Sequence, residues 1–233
     1  MSAFAKRLSD GLDVVLGSRV ISLEDAAGAF RATDERGETH SAPSLVVALP
    51  ASQALDMLAT VGGPKTEKLS ALRHLLASAS AARCLTVIAD YASAKAPDWE
   101  MVYPEESRVL QAISHDSSKR PGPSRTIVVL QALPAWSRMQ WEAGQDVWTE
   151  AMLADAARQV GDWAAAPEVV QPHRWRFAYL SGGGDLTSPF SVVFDDGTRI
   201  GCAGEAFAPG GGIQAAWRSG RQLAERWTRR DSR

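Results

Sequence analysis

The order of apolar and polar positions divides the chain into short strands and a few helices. Phe4, Leu8 and Leu12 recur at helical spacing and predict a short amphipathic opening helix. Val14–Leu16, Arg19–Leu23 and Ala29–Thr33 follow as β-rich stretches, the last turning through Asp34-Glu-Arg-Gly37 towards a polar return strand. Ser44-Leu-Val-Val-Ala-Leu49 is a continuous apolar run closed by Pro50, the pattern of a strand buried on both faces. A helix is predicted over Ala51–Ala59. Val61-Gly-Gly-Pro64 then marks a boundary between two regions.

Beyond that break, a helix near Glu67–Ala77 precedes strands at Cys84–Tyr91, Val109–Ile113 and Thr126–Leu133, separated by turn-rich segments such as 117–124. A helix from Val147 to Ala164, a strand over Val169–Tyr179 and a turn at Ser181-Gly-Gly-Gly-Asp185 come next. A hairpin is predicted about Asp195-Asp-Gly-Thr198. The C-terminal helix is the clearest element: Ile213, Ala216, Trp217, Gly220, Leu223, Ala224 and Trp227 form one stripe at helical spacing. Within it Ala216, Gly220 and Ala224 make a line of small residues that suits close approach of another backbone. Arg226, Arg229 and Arg230 suit the negative pole of the helix dipole.

Composition narrows the class. The 233 residues carry 25 basic and 27 acidic side chains, a formal net charge of −2, which leaves no global field for nucleic acid. The arginine-rich end from Arg218 to Arg233 therefore reads as a solvated helix end. At 45% hydrophobic and 22% charged, the chain is globular rather than disordered or fibrous. Cys84 and Cys202 are too few for a disulfide framework or a zinc site and suit a reducing cytoplasm. No segment approaches the roughly 20 apolar residues that span a bilayer, so a cytoplasmic chain without membrane contact is expected.

The strongest local signal is Arg199-Ile-Gly-Cys-Ala-Gly-Glu-Ala-Phe-Ala-Pro-Gly-Gly-Gly-Ile-Gln-Ala-Ala216. A short strand delivers Gly204-Glu205, and a glycine-rich loop opens the last helix. Free N–H groups at a helix start attract anions and polarised carbonyl oxygens, and a carboxylate ahead of the loop suits sugar hydroxyls. A plain glycine turn between strand and helix has the same pattern. Gly210-Gly-Gly-Ile-Gln-Ala215 also satisfies G-x-G-x-x-A, but the sequence leaves no room after it for the second parallel strand that the fingerprint needs, so it is not read as a complete dinucleotide turn.

Along His173-Arg-Trp-Arg176, strand alternation places His173 and Trp175 on one face and the arginines on the other. That is either a wall for a planar ring or a core tryptophan flanked by surface arginines. Ser114-His-Asp-Ser117 has hydrolase components without a nucleophile elbow. His40 and His74 lack ligand-spaced partners, so no metal is expected, and no catalytic side chain is assigned.

Taken in order, these segments resemble the renalase-like, FAD- and NAD(P)-binding branch of the flavin-containing amine oxidase superfamily. Leu16-Gly-Ser-Arg-Val20 is similar to that family's L-G-x-R-V strand, and Leu45-Val-Val-Ala-Leu-Pro-Ala51 to its V-V-x-A-x-P strand. His115-Asp-Ser-Ser-Lys119 with Pro121-Gly122 resembles D-S-S-K-P-G-R, and the segments at 130–137, 173–178 and 203–221 match further stretches. The resemblance implies an α+β or α/β chain: a partial FAD-binding domain, and a substrate domain built on a mostly antiparallel sheet. The FAD-binding parts are expected at 1–62 and 181–233, and the substrate domain at 63–180. It implies FAD as cofactor, with the backbone of Val20 near the adenine and Gly204 and Glu205 near the ribityl and pyrophosphate. Gly211, Gly212, Ile213, Gln214 and Ala215 would sit at the flavin ring, and Arg174 and Trp175 on the substrate side. Hydride transfer from a small molecule to the flavin is the implied chemistry, an amine or a dihydronicotinamide dinucleotide being the substrate class.

The family's opening strand–G-x-G-x-x-G–helix unit is not in this sequence. A truncated chain is therefore expected, with one sheet edge left open, FAD not retained by this chain alone, and a separate chain as one source of the missing unit. The alternative is a non-catalytic remnant acting as a binding module.

Overall fold

The computed structural model describes residues 2–92, 97–182 and 186–231. They divide into two compact units, Met1–Ser80 with Gly182–Arg233, and Ala81–Ser181. The mixed α/β architecture with antiparallel sheets is the expected fold class.

The first unit opens with helix α1 (Ser2–Leu8). It ends before Leu12, and Leu8 and Leu12 are both exposed. The expected strand at Val14–Leu16 is absent: the segment is exposed coil between Gly11 and Gly17, both at positive φ, and an isolated apolar triplet without a pairing partner gains nothing by extending. Strands β1 (Val20–Asp25), β2 (Phe30–Asp34) and β3 (Thr39–Ala42) form an antiparallel meander. Asp34 tightens its second turn, accepting the N–H groups of Arg36 and Glu38 at 2.9 and 3.0 Å. Strand β4 (Ser44–Val47) leads into helix α2 (Ala51–Ala59), followed by α3 (Lys65–Lys68) and α4 (Ser70–Ser78). The division between units falls after Ser80 rather than at the Val61-Gly-Gly-Pro64 break. Leu69, Leu72 and Leu76 are fully buried in the same core as Leu23, Phe30 and Ala54 and hold these helices to the first unit.

The second unit is a five-stranded sheet in the order β6-β7-β8-β5-β9. Its strands are β5 (Ser80–Asp90), β6 (Met101–Val102), β7 (Leu110–His115), β8 (Ile127–Ala132) and β9 (Val169–Gly182). Helices α5 (Pro134–Met139) and α6 (Gln145–Val160) cover one face, where Trp148 and Met152 pack on Leu85, Val87 and Leu130. Gly161, at φ +108°, ends α6 short of the expected Ala164, which lies in a following 3-10 turn. The rest of the expected turn after Gly182, residues 183–185, lies outside the described residues.

The chain returns to the first unit through β10 (Phe190–Val193), β11 (Arg199–Cys202) and helix α7 (Gly212–Asp231). The β10–β11 hairpin turns through Asp195–Thr198 as expected, with Gly197 at φ +80°. β11 then pairs in parallel with β4, giving the sheet order β10-β11-β4. Register places Ile200 and Leu45, and Cys202 and Val47, on the core side. Gly201 and Val46 share the opposite side, towards α7. The run at Ser44–Leu49 is thus not buried on both faces: β4 is an edge strand among the described residues, and Val46 is 47% exposed.

Lys65 closes the first unit. Its side chain is buried, with Nζ 2.6 Å from Asp25 Oδ1 and 2.9 Å from Asp196 Oδ2, and it stands 4.7 Å over the Phe30 ring. Burial alone would lower its pKa, but the hydrogen bonds to Asp25 and Asp196 more than reverse this and raise it. The Thr198 hydroxyl and Lys65 hold the Asp196 carboxyl well below its ordinary range. A depressed carboxylate stabilises the fold above its unfolded pKa of about 3.9, and that contribution is lost as pH falls through the folded value. A raised lysine stabilises below about 10.4, and loses its effect as pH rises through the folded value. Lys65→Met is therefore expected to destabilise the protein by about 2 kcal/mol at neutral pH. In urea titrations the gap to wild type begins to narrow as pH falls below about 3.9. A gap that stays constant would assign the cost to packing instead.

Candidate functional site

The most distinctive local geometry lies where β11 gives way to α7. The Ala203 N–H donates to Val47 O, prolonging the parallel ladder past Cys202. At Gly204 the backbone takes φ +150°, which side chains with a Cβ avoid, and leaves the sheet. Glu205–Phe207 makes one 3-10 turn, fixed by the buried Phe207 ring. Gly210, Gly211 and Gly212 follow at φ +95°, +64° and +67° and swing the chain into α7. A Cβ built on Gly204, Gly210 or Gly212 would meet nothing within 4 Å, so the loop has an open, side-chain-free flank. That flank is a cradle that a flat or phosphorylated group can approach closely.

Two sets of hydrogen bonds tie this loop to α7. The Gly204 N–H donates to Ser219 Oγ at 2.9 Å, and the Ser219 hydroxyl lies 2.9 Å from both the Gly204 and Ala216 carbonyl oxygens. The Gly212 N–H donates to Glu205 Oε1 at 2.9 Å. The first amide of α7 is thus already capped by a carboxylate at the positive pole of the helix, an arrangement worth about 0.3–1 kcal/mol. The remaining first-turn amides, at Ile213 and Gln214, belong to exposed residues. Among the described residues, only Oε1 of Glu205 is engaged. The second oxygen and the open flank fit a cofactor bearing hydroxyl and carbonyl groups.

Under the loop α7 lies directly on β11. A Cβ at Gly201 would come within 2.7 and 2.9 Å of the Leu223 methyls and 2.9 Å of Trp227 Cζ2. Trp227 Nε1 donates to Ser191 Oγ at 2.7 Å, and the Arg199 guanidinium lies 4.6 Å from its ring. The buried line of α7 is Ala215, Ser219 and Leu223. The expected stripe is turned partly outward: Ile213 is 49% and Trp217 54% exposed, and a Cβ at Gly220 would meet open space. Among the described residues, no neighbouring backbone comes within 4 Å of a Cβ at Gly220, the middle of the line of small residues. Gly201 and Ser219 thus escape the sequence reading, although a glycine between Ile200 and Cys202 in a strand is a sign of close approach.

The other candidate residues lie elsewhere. Val20 starts β1 and borders the core that also contains Phe207. Arg174 and Trp175 are on β9 in the second unit and point to opposite faces. Arg174 donates to Ala143 O at 2.7 Å and lies 5.5 Å over the Trp148 ring, on the helix-covered side. Trp175 pairs edge-on with His173 at 4.5 Å on the other. They do not form one wall, as strand alternation requires.

The Ser114–Ser117 components do not assemble into a triad. Asp116 is ion-paired with Lys119 and Arg120, while the Ser117 hydroxyl donates to Arg125 O. Burial pushes the Cys202 thiol up to about 12, so it is no nucleophile at neutral pH. Among the described residues no cluster could hold a metal ion, and no helix is long and apolar enough to cross a membrane.

Known structures share this fold. A triple mutant of putrescine oxidase superposes on 99% of the chain with a TM-score of 0.73 at 18% identity. Cyclohexylamine oxidase from Brevibacterium oxydans IH-35A covers 100% with a TM-score of 0.71 at 16% identity. The chain spans about half the length of each, 53% in both cases. No curated protein matches it. The family model for flavin containing amine oxidoreductases matches residues 1–227, and the FAD expected from the sequence is the flavin of such a fold. With that match running through the clasped glycine loop and nearly all of α7, the chain belongs to the flavin-containing amine oxidoreductases.

Proposed function

We propose that these residues form part of a renalase-like, FAD-dependent oxidoreductase that takes a hydride from a small-molecule substrate. The observation that carries this reading is the loop 204–212, a glycine run with an open flank, held to α7 at both ends. When bound, FAD supplies the electron-accepting chemistry, so no acid–base side chain is required of the protein. Gly204 and Glu205 present a backbone turn and a carboxylate oxygen to the ribityl and pyrophosphate region. Gly211, Gly212, Ile213, Gln214 and Ala215 bring the start of α7 to the ring. The backbone of Val20 borders the adenine.

In the second unit Trp175, on the sheet face opposite α6, serves the substrate. Arg174 holds β9 to the α5–α6 connection through Ala143. An amine is the favoured substrate class, supported by the family and by the two oxidases of similar fold.

The family's pyrophosphate turn, G-x-G-x-x-G, is not among the 233 residues. Tight binding requires it, whether it lies in the same polypeptide or in another. The visible spectrum of the purified protein, recorded with and without added FAD, tests the reading. Stoichiometric flavin is expected once the pyrophosphate turn is present, and little in these residues alone. A folded, complete protein that takes up no flavin would favour a non-catalytic binding module. Stoichiometric binding by the 233 residues alone would remove the requirement for the turn.

A further inference from the structure

We propose that Ser219 is the positioning residue of the cofactor loop, acting through Gly204 on the Glu205 carboxylate. Three features carry this, and the inference rests on the flavin-binding role proposed above. Ser219 is fully buried in the second turn of α7, where a hydroxyl has no place unless it is used. It meets both backbone groups of Gly204, accepting the N–H at 2.9 Å and lying 2.9 Å from the carbonyl oxygen. Gly204 is also where the chain leaves the sheet at φ +150°, so fixing its peptide fixes the direction in which Glu205 emerges.

Glu205 in turn reaches the Gly212 amide at 2.9 Å. The hydrogen bonds thus close a ring: α7 at Ser219, Gly204, Glu205, and α7 again at Gly212. Loop and helix start then move as one body, and the unengaged oxygen of Glu205 is aimed by Ser219 rather than by its own rotamer freedom. A hydroxyl is needed because the same side chain must accept from one group and donate to another, which neither alanine nor a purely donating side chain achieves.

The test compares Ser219→Ala, Ser219→Thr and Ser191→Ala in the full protein carrying its flavin. Ser191→Ala removes the Trp227 anchor of α7 without touching the loop and so controls for helix docking. Ser219→Ala is expected to weaken FAD binding about tenfold, to speed hydrogen exchange at the Gly204 amide by a similar factor, and to shift the flavin absorption maximum. Ser219→Thr keeps the hydroxyl and restores the absorption maximum. Ser191→Ala lowers the melting temperature but leaves flavin affinity and spectrum as in wild type.

Equal losses of affinity in Ser219→Ala and Ser191→Ala, or an unchanged Gly204 amide in Ser219→Ala, overturn the assignment. A wild-type protein without flavin overturns the proposed function and this inference together. A wild type with flavin whose Ser219→Ala variant matches it in affinity and spectrum overturns this inference alone.

Discussion

Replacing Gly201 with valine is expected to cost about 3 kcal/mol and to lift α7 from its sheet. The first added carbon alone would stand 2.7 Å from Leu223 Cδ2 and 2.9 Å from Trp227 Cζ2, well inside van der Waals contact. Neither neighbour has an easy escape. Leu223 is buried, and Trp227 is held by its hydrogen bond to Ser191 and by the Arg199 guanidinium against its ring. Valine's two further methyls leave β11 or α7 to move, and moving α7 carries Ser219 and Gly212 with it.

The same substitution should therefore weaken flavin binding, with the fall in urea midpoint as its direct measure. Gly201→Ala is expected to show an intermediate loss. Combined with Leu223→Ala, it should cost less than the two separate losses added, because the shortened side chain makes room for the new methyl. Strict additivity would mean that the two positions do not compete for space.

What the sequence discloses about this region follows from how local each determinant is. The β10–β11 turn is legible because Asp195-Asp-Gly-Thr198 carries its own turn chemistry, and the hydrogen bonds that close it lie within five residues, Phe194 to Thr198. That α7 is a helix is equally legible from its spacing. Which of its faces meets the sheet is not.

Ala216, Gly220 and Ala224 repeat every four residues, but so do Ala215, Ser219 and Leu223, and only the partner decides between the lines. The partner is β11 at Gly201, which meets α7 at Leu223 and Trp227. Val14–Leu16 fails for the same reason: strand formation depends on a neighbour that apolar character cannot specify. The Glu205–Gly212 bond is harder still, since it exists only after three successive glycines have taken positive φ. The family resemblance reaches these residues by their order along the chain, without showing the hydrogen bonds that hold them.

Gly212→Glu is expected to abolish measurable flavin binding, a loss of more than about 100-fold, while costing the fold only about 1–2 kcal/mol. Ordinarily an acidic residue in the first turn of a helix is favourable. Here that position is already served: Glu205 Oε1 lies 2.9 Å from the Gly212 N–H, so a second carboxylate on the same residue adds repulsion where the dipole has been satisfied. Gly212 also sits at φ +67°, which any side chain with a Cβ adopts at a cost. The open flank noted at this glycine becomes the place into which the new side chain projects.

Two further variants separate the causes. Gly212→Ala bears the backbone cost without the bulk or charge and should retain most of the affinity. Gly212→Gln adds the bulk without the charge and should fall between. If Gly212→Glu binds FAD as wild type does, while its melting temperature confirms that it is folded, the flavin does not lie at the start of α7. The clasp of Glu205 and Ser219 would then serve the helix alone.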